Sequence, residues 1–258
     1  MPTPTIVLLH GQPDSSASFQ QLRRGLRQRL PGVRVLAPDR PGYGANPLPA
    51  RDFAGNVGWL LSWLADADAG PTVLLGHSWA GGVAALAAAE APDRVAGLVL
   101  LASIGPDCLL RLDRVLAAPG LGGLIAWSAL QLGKPAIGRR ASRLLLGRQE
   151  AADRPYARTS GLAMRHRPVW RSFLIEQRAL IRELPGIDRE LARIGQPTAI
   201  ISGQRDALIP SATPVELQRR IAHATSHQLP GGHDLQVRQP DAVADLVAGF
   251  AGPLLEAR

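Results

Sequence analysis

The 258-residue sequence contains one cysteine, Cys108, which excludes an internal disulfide and a multi-cysteine zinc site. Uninterrupted apolar runs are short. Val83–Ala89 is an example, far below the roughly 18 residues that argue for a membrane-spanning helix. Met1–Gly11 lacks the charged n-region and small-residue cleavage site of a secretory signal. The expectation is a soluble, cytoplasmic protein with no stable membrane insertion. Lysine is nearly absent, with Lys134 alone among 29 basic residues. Residues 107–194 hold 16 basic and 8 acidic side chains, leaving 13 of each sign elsewhere, so the formal charge of +8 sits in the middle of the chain. A basic middle could attract nucleic acid, anionic lipid or an acidic substrate. Its arginines are scattered singly rather than in a run, so a solvated face is the plainer account and no nucleic-acid partner is expected.

With 46% apolar residues, 19% charged residues and a mean hydropathy of +0.02, the composition is that of a globular chain. At about 150 residues per domain, one large or two small domains are allowed, each able to bury a core unaided by disulfides or metal.

Strand-like runs alternate with helical patterns. Thr5–Leu9 reads as a buried strand ending at His10-Gly11, and Ser15–Leu30 as a helix with Phe19, Leu22, Leu26 and Leu30 on one face. Val33–Ala37 is a second strand, stopped by the turn-rich Pro38–Gly44. A helix over Phe53–Ala67, a strand at Thr72–Leu75, an alanine-rich helix over Ala80–Glu90 and a strand at Val95–Ser103 follow. Continuous apolar strands separated by helices predict a parallel sheet covered on both faces. From Pro106 to about Ile194 only helical patterning is legible. Alternation resumes with a strand at Pro197–Ser202, a helix near Pro214–Ile221, a strand at Ser226–Leu229 and a helix from Pro240 to about Phe250. The reading is one α/β domain, residues 1–106 and 195–258, interrupted by a mostly helical insertion at 107–194.

Gly76-His77-Ser78-Trp79-Ala80-Gly81 joins a buried strand to a helix, the context of a nucleophile elbow. Such a turn strains its apex residue and tolerates only small flanks. Here Gly76 and Ala80 flank Ser78, whose hydroxyl is raised above the sheet edge at the positive end of the helix. A serine needs a base to take its proton. Among the six histidines, His10 and His77 lie beside structural turns, His166 is in the insertion, and His223 and His227 flank a late strand. His233 follows the last strand on a glycine-rich loop at the edge where active sites of parallel sheets collect. Its other ring nitrogen needs an acceptor. Asp206 follows the Pro197–Ser202 strand; Asp107 is a rival, and Asp234, adjacent to His233, is the weaker choice. A developing oxyanion needs preorganised donors. The backbone N–H of Trp79 is one, and the loop His10-Gly11-Gln12-Pro13 offers another, with Gln12 able to aim its N–H inward. No metal ligand set and no cofactor is expected.

These segments, together with Asp39-Arg40-Pro41-Gly42-Tyr43-Gly44 and the Gly203…Asp206 turn, occur in the order and near the spacing of the α/β-hydrolase superfamily. The sequence resembles that superfamily over nearly its whole length. The resemblance implies a Ser78, His233, Asp206 triad, an oxyanion hole from the N–H groups of Gln12 and Trp79, and a helical cap formed by residues 107–194. It assigns a structural role to the Asp39–Gly44 turn. Two departures stand out. Ala80 takes a position usually held by glycine. The two antiparallel strands that usually precede His10-Gly11 are expected to be missing, which predicts a six-stranded, all-parallel sheet. Val33–Ala37 would then be an edge strand open to pairing in a homodimer.

The insertion alternates apolar stretches (Leu121–Leu132, Leu144–Leu146, Leu162–Met164, Phe173–Ile175) with single arginines. Core packing is the plainer account of its large aromatics, Trp127 and Trp170, and substrate contact is the alternative. The expected partner is a small or medium hydrophobic acyl compound. The leading expectation is a cofactor-independent serine hydrolase of an ester, lactone or thioester. Alternatives are a carbon–carbon bond hydrolase, an aminopeptidase-like enzyme, a perhydrolase, or a non-catalytic ligand-binding member. Relatives that open epoxides or displace halide typically carry an aspartate at the elbow, where this chain has Ser78.

Overall fold

The computed structural model describes residues 3–120, 123–124 and 169–256. Six strands, β1 (Thr3–Leu9), β2 (Arg34–Leu36), β3 (Ala69–His77), β4 (Val95–Leu101), β5 (Thr198–Gly203) and β6 (Ala224–Leu229), form one sheet in the order β2-β1-β3-β4-β5-β6. Every neighbouring pair is parallel. This is the expected all-parallel α/β architecture, with β2 at one edge and β6 at the other. The edge strand β2 is only three residues long, so the edge it offers to another chain is short.

The central strands show why their sequences read as continuous apolar runs. Successive side chains of a strand point to opposite faces, and here both faces are covered. Val7, Leu9, Leu74, Leu98, Leu100 and Ile200 join the core on one side; Ile6, Leu8, Val73, Leu75, Val99 and Ile201 join the core on the other. Helices α1 (Gln20–Arg29) and α8 (Pro240–Glu256) cover the second side, and α2 (Phe53–Asp66) and α3 (Trp79–Glu90) the first. Helix α2 starts where Asp52 caps it, accepting from the Gly55 N–H at 3.0 Å. Helix α3 is apolar all round because nearly all of it is interior.

Within 107–194 the described elements are helical: α4 (Arg111–Ala117) and α5 (Val169–Glu190), the latter against α2, α3 and α4. Trp127 and the stretches at Leu144–Leu146 and Leu162–Met164 lie outside the described residues. Two further helices, α6 (Ala212–Arg220) and α7 (Leu235–Arg238), complete the C-terminal part. Among the described residues no helix is long and apolar enough to cross a membrane.

Parallel register places the strand ends together. Leu9 pairs with Gly76, His77 with Leu101 and Gly203 with Leu229. The segments that follow β1, β3, β4, β5 and β6 therefore leave the sheet at one rim, the usual site of chemistry in such sheets.

Cys108 lies buried just beyond that rim, and burial pushes its thiol up to about 11. Thiol reagents attack the thiolate. At pH 8 Ellman's reagent is expected to modify Cys108 at least ~100-fold more slowly in the folded protein than after denaturation, since the thiolate fraction falls by that order. Stopped-flow absorbance with and without guanidinium measures the ratio.

Candidate active site

Ser78 is the last residue before α3, at φ 55° and ψ −124°, a conformation that costs a non-glycine residue of order 1–3 kcal/mol. The surroundings impose it. The Ser78 N–H donates to the Leu101 carbonyl at 3.0 Å, and the Ser78 carbonyl accepts from Gly81 at 2.9 Å and Ile104 at 3.2 Å. A side chain at Gly76 would bring its Cβ within 2.5 Å of the Ala80 carbonyl, so the turn closes only over glycine. The first loop presses on the same residue, since a Cβ on Gly11 would lie 2.9 Å from that of Ser78. Trp79 opens the helix, where backbone N–H groups have no partner within the helix.

His233, on the loop after β6, is buried, and its Nδ1 lies 2.9 Å from Asp206 Oδ2. Burial pulls the imidazole down, but the Asp206 hydrogen bond and charge outweigh it and hold the ring above its ordinary range. Burial likewise pushes Asp206 up, yet the bond to His233 and the N–H groups of Ile209 and Leu208 leave it below the usual carboxylate range. Asp206 Oδ1 accepts those two N–H groups at 3.0 and 2.9 Å, which fixes the carboxylate plane. Asp107 is exposed, and Asp234 acts on His233 only through its charge. The structure thus pairs His233 with Asp206 and with neither rival.

His77 ties the elbow to the loop of His233. Its Nε2 lies 3.2 Å from the His233 carbonyl, its Nδ1 3.4 Å from Gln236 Nε2, and its ring centroid 4.9 Å from that of His233. Burial and the neighbouring His233 lower its pKa to about 3, so it stays neutral, donating from Nε2 and accepting at Nδ1.

A family model described as "Alpha/beta hydrolase family" matches residues 6–246. The chain belongs to the alpha/beta hydrolase family. Haloalkane dehalogenase of Mycolicibacterium paratuberculosis is 36% identical over 101 residues, 38% of this chain but only 33% of that protein's length. A 2-hydroxymuconate semialdehyde hydrolase of Pseudomonas is 28% identical over 253 residues, 95% of this chain and 86% of that protein. Among solved structures, a thermophilic esterase from Thermogutta terrifontis superposes with a TM-score of 0.77 at 21% identity, covering 97% of this chain and 90% of the esterase.

This alpha/beta hydrolase carries a buried polar network that sequence reasoning missed. Arg40, from the turn given only a structural role, has a fully buried side chain. It donates from Nε to the His10 carbonyl at 2.7 Å and from Nη2 to the Gly11 carbonyl at 2.9 Å. Its guanidinium forks onto the carboxylate of Glu176 from α5, which is also fully buried. Tyr43 donates its hydroxyl to Glu176 Oε2 at 2.7 Å. Burial pushes the Glu176 carboxyl up, opposed by Arg40 and Tyr43. The Trp79 indole packs against the same helix. It donates Nε1–H to the Glu176 carbonyl at 3.1 Å, stacks on Phe53 at 3.9 Å, and lies 4.7 Å from the guanidinium carbon. A signal was available: Glu176 precedes Leu180 by four residues and Leu184 by eight, so a carboxylate sits on the apolar stripe of α5.

The Gln12 side chain donates to Gln177 Oε1 at 3.0 Å, and Gln177 donates to Asp113 Oδ1 at 2.9 Å. The Gln12–Pro13 peptide is cis. Trp170, half-buried at the start of α5, carries the Arg171 guanidinium 5.0 Å over its ring. Among the described residues no group of three His, Cys, Asp or Glu side chains could hold a metal ion.

Proposed function

We propose that this protein is a serine hydrolase that cleaves an ester, lactone or thioester of a small to medium hydrophobic substrate through an acyl-enzyme. The buried His233–Asp206 hydrogen bond, on a loop tied to the strained Ser78 turn, carries the reading. Ser78 Oγ attacks the carbonyl carbon as His233 Nε2 takes its proton, while Asp206 holds Nδ1–H and stabilises the imidazolium. The carbonyl oxygen becomes an oxyanion facing the N–H groups of Trp79 and Gln12. Collapse expels the alcohol or thiol, which leaves with the proton from His233. Water then attacks acyl-Ser78 by the same relay and frees the acid. Residues 107–194 act as the cap, with Trp170 a candidate for contact with the acyl group, and the reaction uses no cofactor.

Similarity to haloalkane dehalogenase does not extend to halide displacement under this reading. A serine oxygen attacking a saturated carbon would leave an ether, which offers water no carbonyl, whereas an acyl-serine does. A second reading, carbon–carbon bond hydrolysis, is favoured by the likeness to 2-hydroxymuconate semialdehyde hydrolase along 95% of the chain.

A panel of p-nitrophenyl esters of increasing chain length, with a lactone, a thioester and a diketone, separates the two. Ester turnover with Ser78 labelled by a fluorophosphonate supports the first; diketone cleavage with inert esters supports the second. No labelling and no turnover would leave neither standing. Pairing of two copies across β2 is a lesser proposal, and a monomer by light scattering at high concentration removes it.

A further inference from the structure

The peptide group between Gly11 and Gln12 is a single rigid plane, so its C=O and N–H point in opposite directions. The Gly11 carbonyl is held from the interior, by Arg40 Nη2 at 2.9 Å and by His10 Nδ1 at 2.9 Å. His10 is locked in turn, because its Nε2 accepts the Arg40 backbone N–H at 3.0 Å, leaving Nδ1 to carry the proton. Burial and the adjacent guanidinium keep this imidazole uncharged. With the carbonyl drawn inward, the Gln12 N–H is directed the opposite way.

Arg40 holds that carbonyl only because something holds Arg40. A guanidinium with no exposed surface requires an opposite charge, and Glu176 supplies it from α5, 136 residues along the chain. The next residue on α5, Gln177, binds the Gln12 side chain. Two consecutive residues of one helix therefore grip the first loop, one through Arg40 and one directly.

We propose that Glu176 is a positioning residue: acting through Arg40, it sets the direction of the Gln12 N–H and so couples the seating of α5 to the oxyanion hole. The inference rests on the serine-hydrolase reading, which assigns the Gln12 N–H to the oxyanion. Glu176 touches no reacting atom. Its effect should appear where negative charge develops on the substrate oxygen, not where substrate is bound.

The test uses Glu176→Gln, which removes the charge and keeps an acceptor, and Glu176→Asp, which keeps the charge and withdraws it by one methylene. Loss of a single oxyanion donor costs about 10²–10³ in kcat, and misdirection of one should cost about 10–100-fold. Expected for either folded variant is that fall in kcat on the best p-nitrophenyl ester, with KM within about 3-fold of wild type. Affinity for a boronic acid, whose serine adduct carries a tetrahedral oxyanion, should fall with kcat, while the acid limb of the pH profile, set by His233, stays in place. Wild-type kcat in a folded variant, or a change confined to KM, overturns the proposal. Thermal melts establish folding. If neither Glu176 variant folds, Gln177→Leu decides by the same split, with an expected kcat loss of about 3–10-fold. Failure of wild-type Ser78 to react with a fluorophosphonate overturns the serine-hydrolase reading itself, and labelled wild type with unaffected variants overturns only the role of Glu176.

Discussion

Replacing Ser78 by glycine is expected to abolish turnover and raise the melting temperature together. Removing a triad serine costs about 10⁶ in kcat, so ester hydrolysis should drop to the level left by binding and the oxyanion donors. Ser78 is held at φ 55° and ψ −124°, which glycine adopts without steric cost. Relief of ~1–3 kcal/mol of strain outweighs the ~0.5–1 kcal/mol by which glycine loosens the unfolded chain. The net gain of about 1 kcal/mol corresponds to roughly 2–4 °C for a chain of this size. Ser78→Ala separates the effects, because alanine removes the hydroxyl and keeps the Cβ clash. It should lose the same activity with no rise in melting temperature. Calorimetry on both variants beside a p-nitrophenyl ester assay checks this. A Ser78→Gly variant that melts below Ser78→Ala would show that the turn is not strained.

Asp206→Asn is expected to lower kcat by about 10⁴ and to move the acid limb of the pH profile downward. In the native protein the carboxylate holds His233 above its ordinary range despite burial. In the proposed relay the neutral imidazole is the active form, so wild-type kcat/KM should begin to fall on acidification above pH ~6.5, the free-histidine value. Without the carboxylate, burial is left as the dominant influence and disfavours the imidazolium. The ring then stays neutral to lower pH, yet it is a poorer base with its tautomer no longer imposed. A pH–rate profile of both proteins on one ester reads both effects. An acid limb that stays put in Asp206→Asn would mean another carboxylate governs His233.

Most of the architecture was legible because each central strand is buried on both faces and leaves a continuous apolar run, as Ile6–Leu9 and Val95–Leu101 do. Boundaries slipped where local chemistry misleads. Strand β3 begins at Ala69, ahead of the Gly70-Pro71 pair that reads as a break, and α8 continues through Pro253 to Glu256. The four-residue α7 is too short to have a period. The placement of the candidate residues Ser78, His233 and Asp206 at one rim was readable because each follows a recognisable strand. The Arg40–Glu176 pair was not, since it joins a turn to a helix far along the chain and neither local pattern names the other. A charged residue on an apolar helical stripe shows that a partner must exist, but not which one.

The strand order bears on how the molecule is made. Ribosomes deliver β1 to β4, and Ser78 with them, before β5 and β6 exist. The outer side of β4 then stands unpaired until Thr198–Gly203 docks on it, and only afterwards does β6 bring in the loop that ends at His233. Under the serine-hydrolase reading, a partly translated chain therefore carries its alcohol without its base until residues 198–233 have been made.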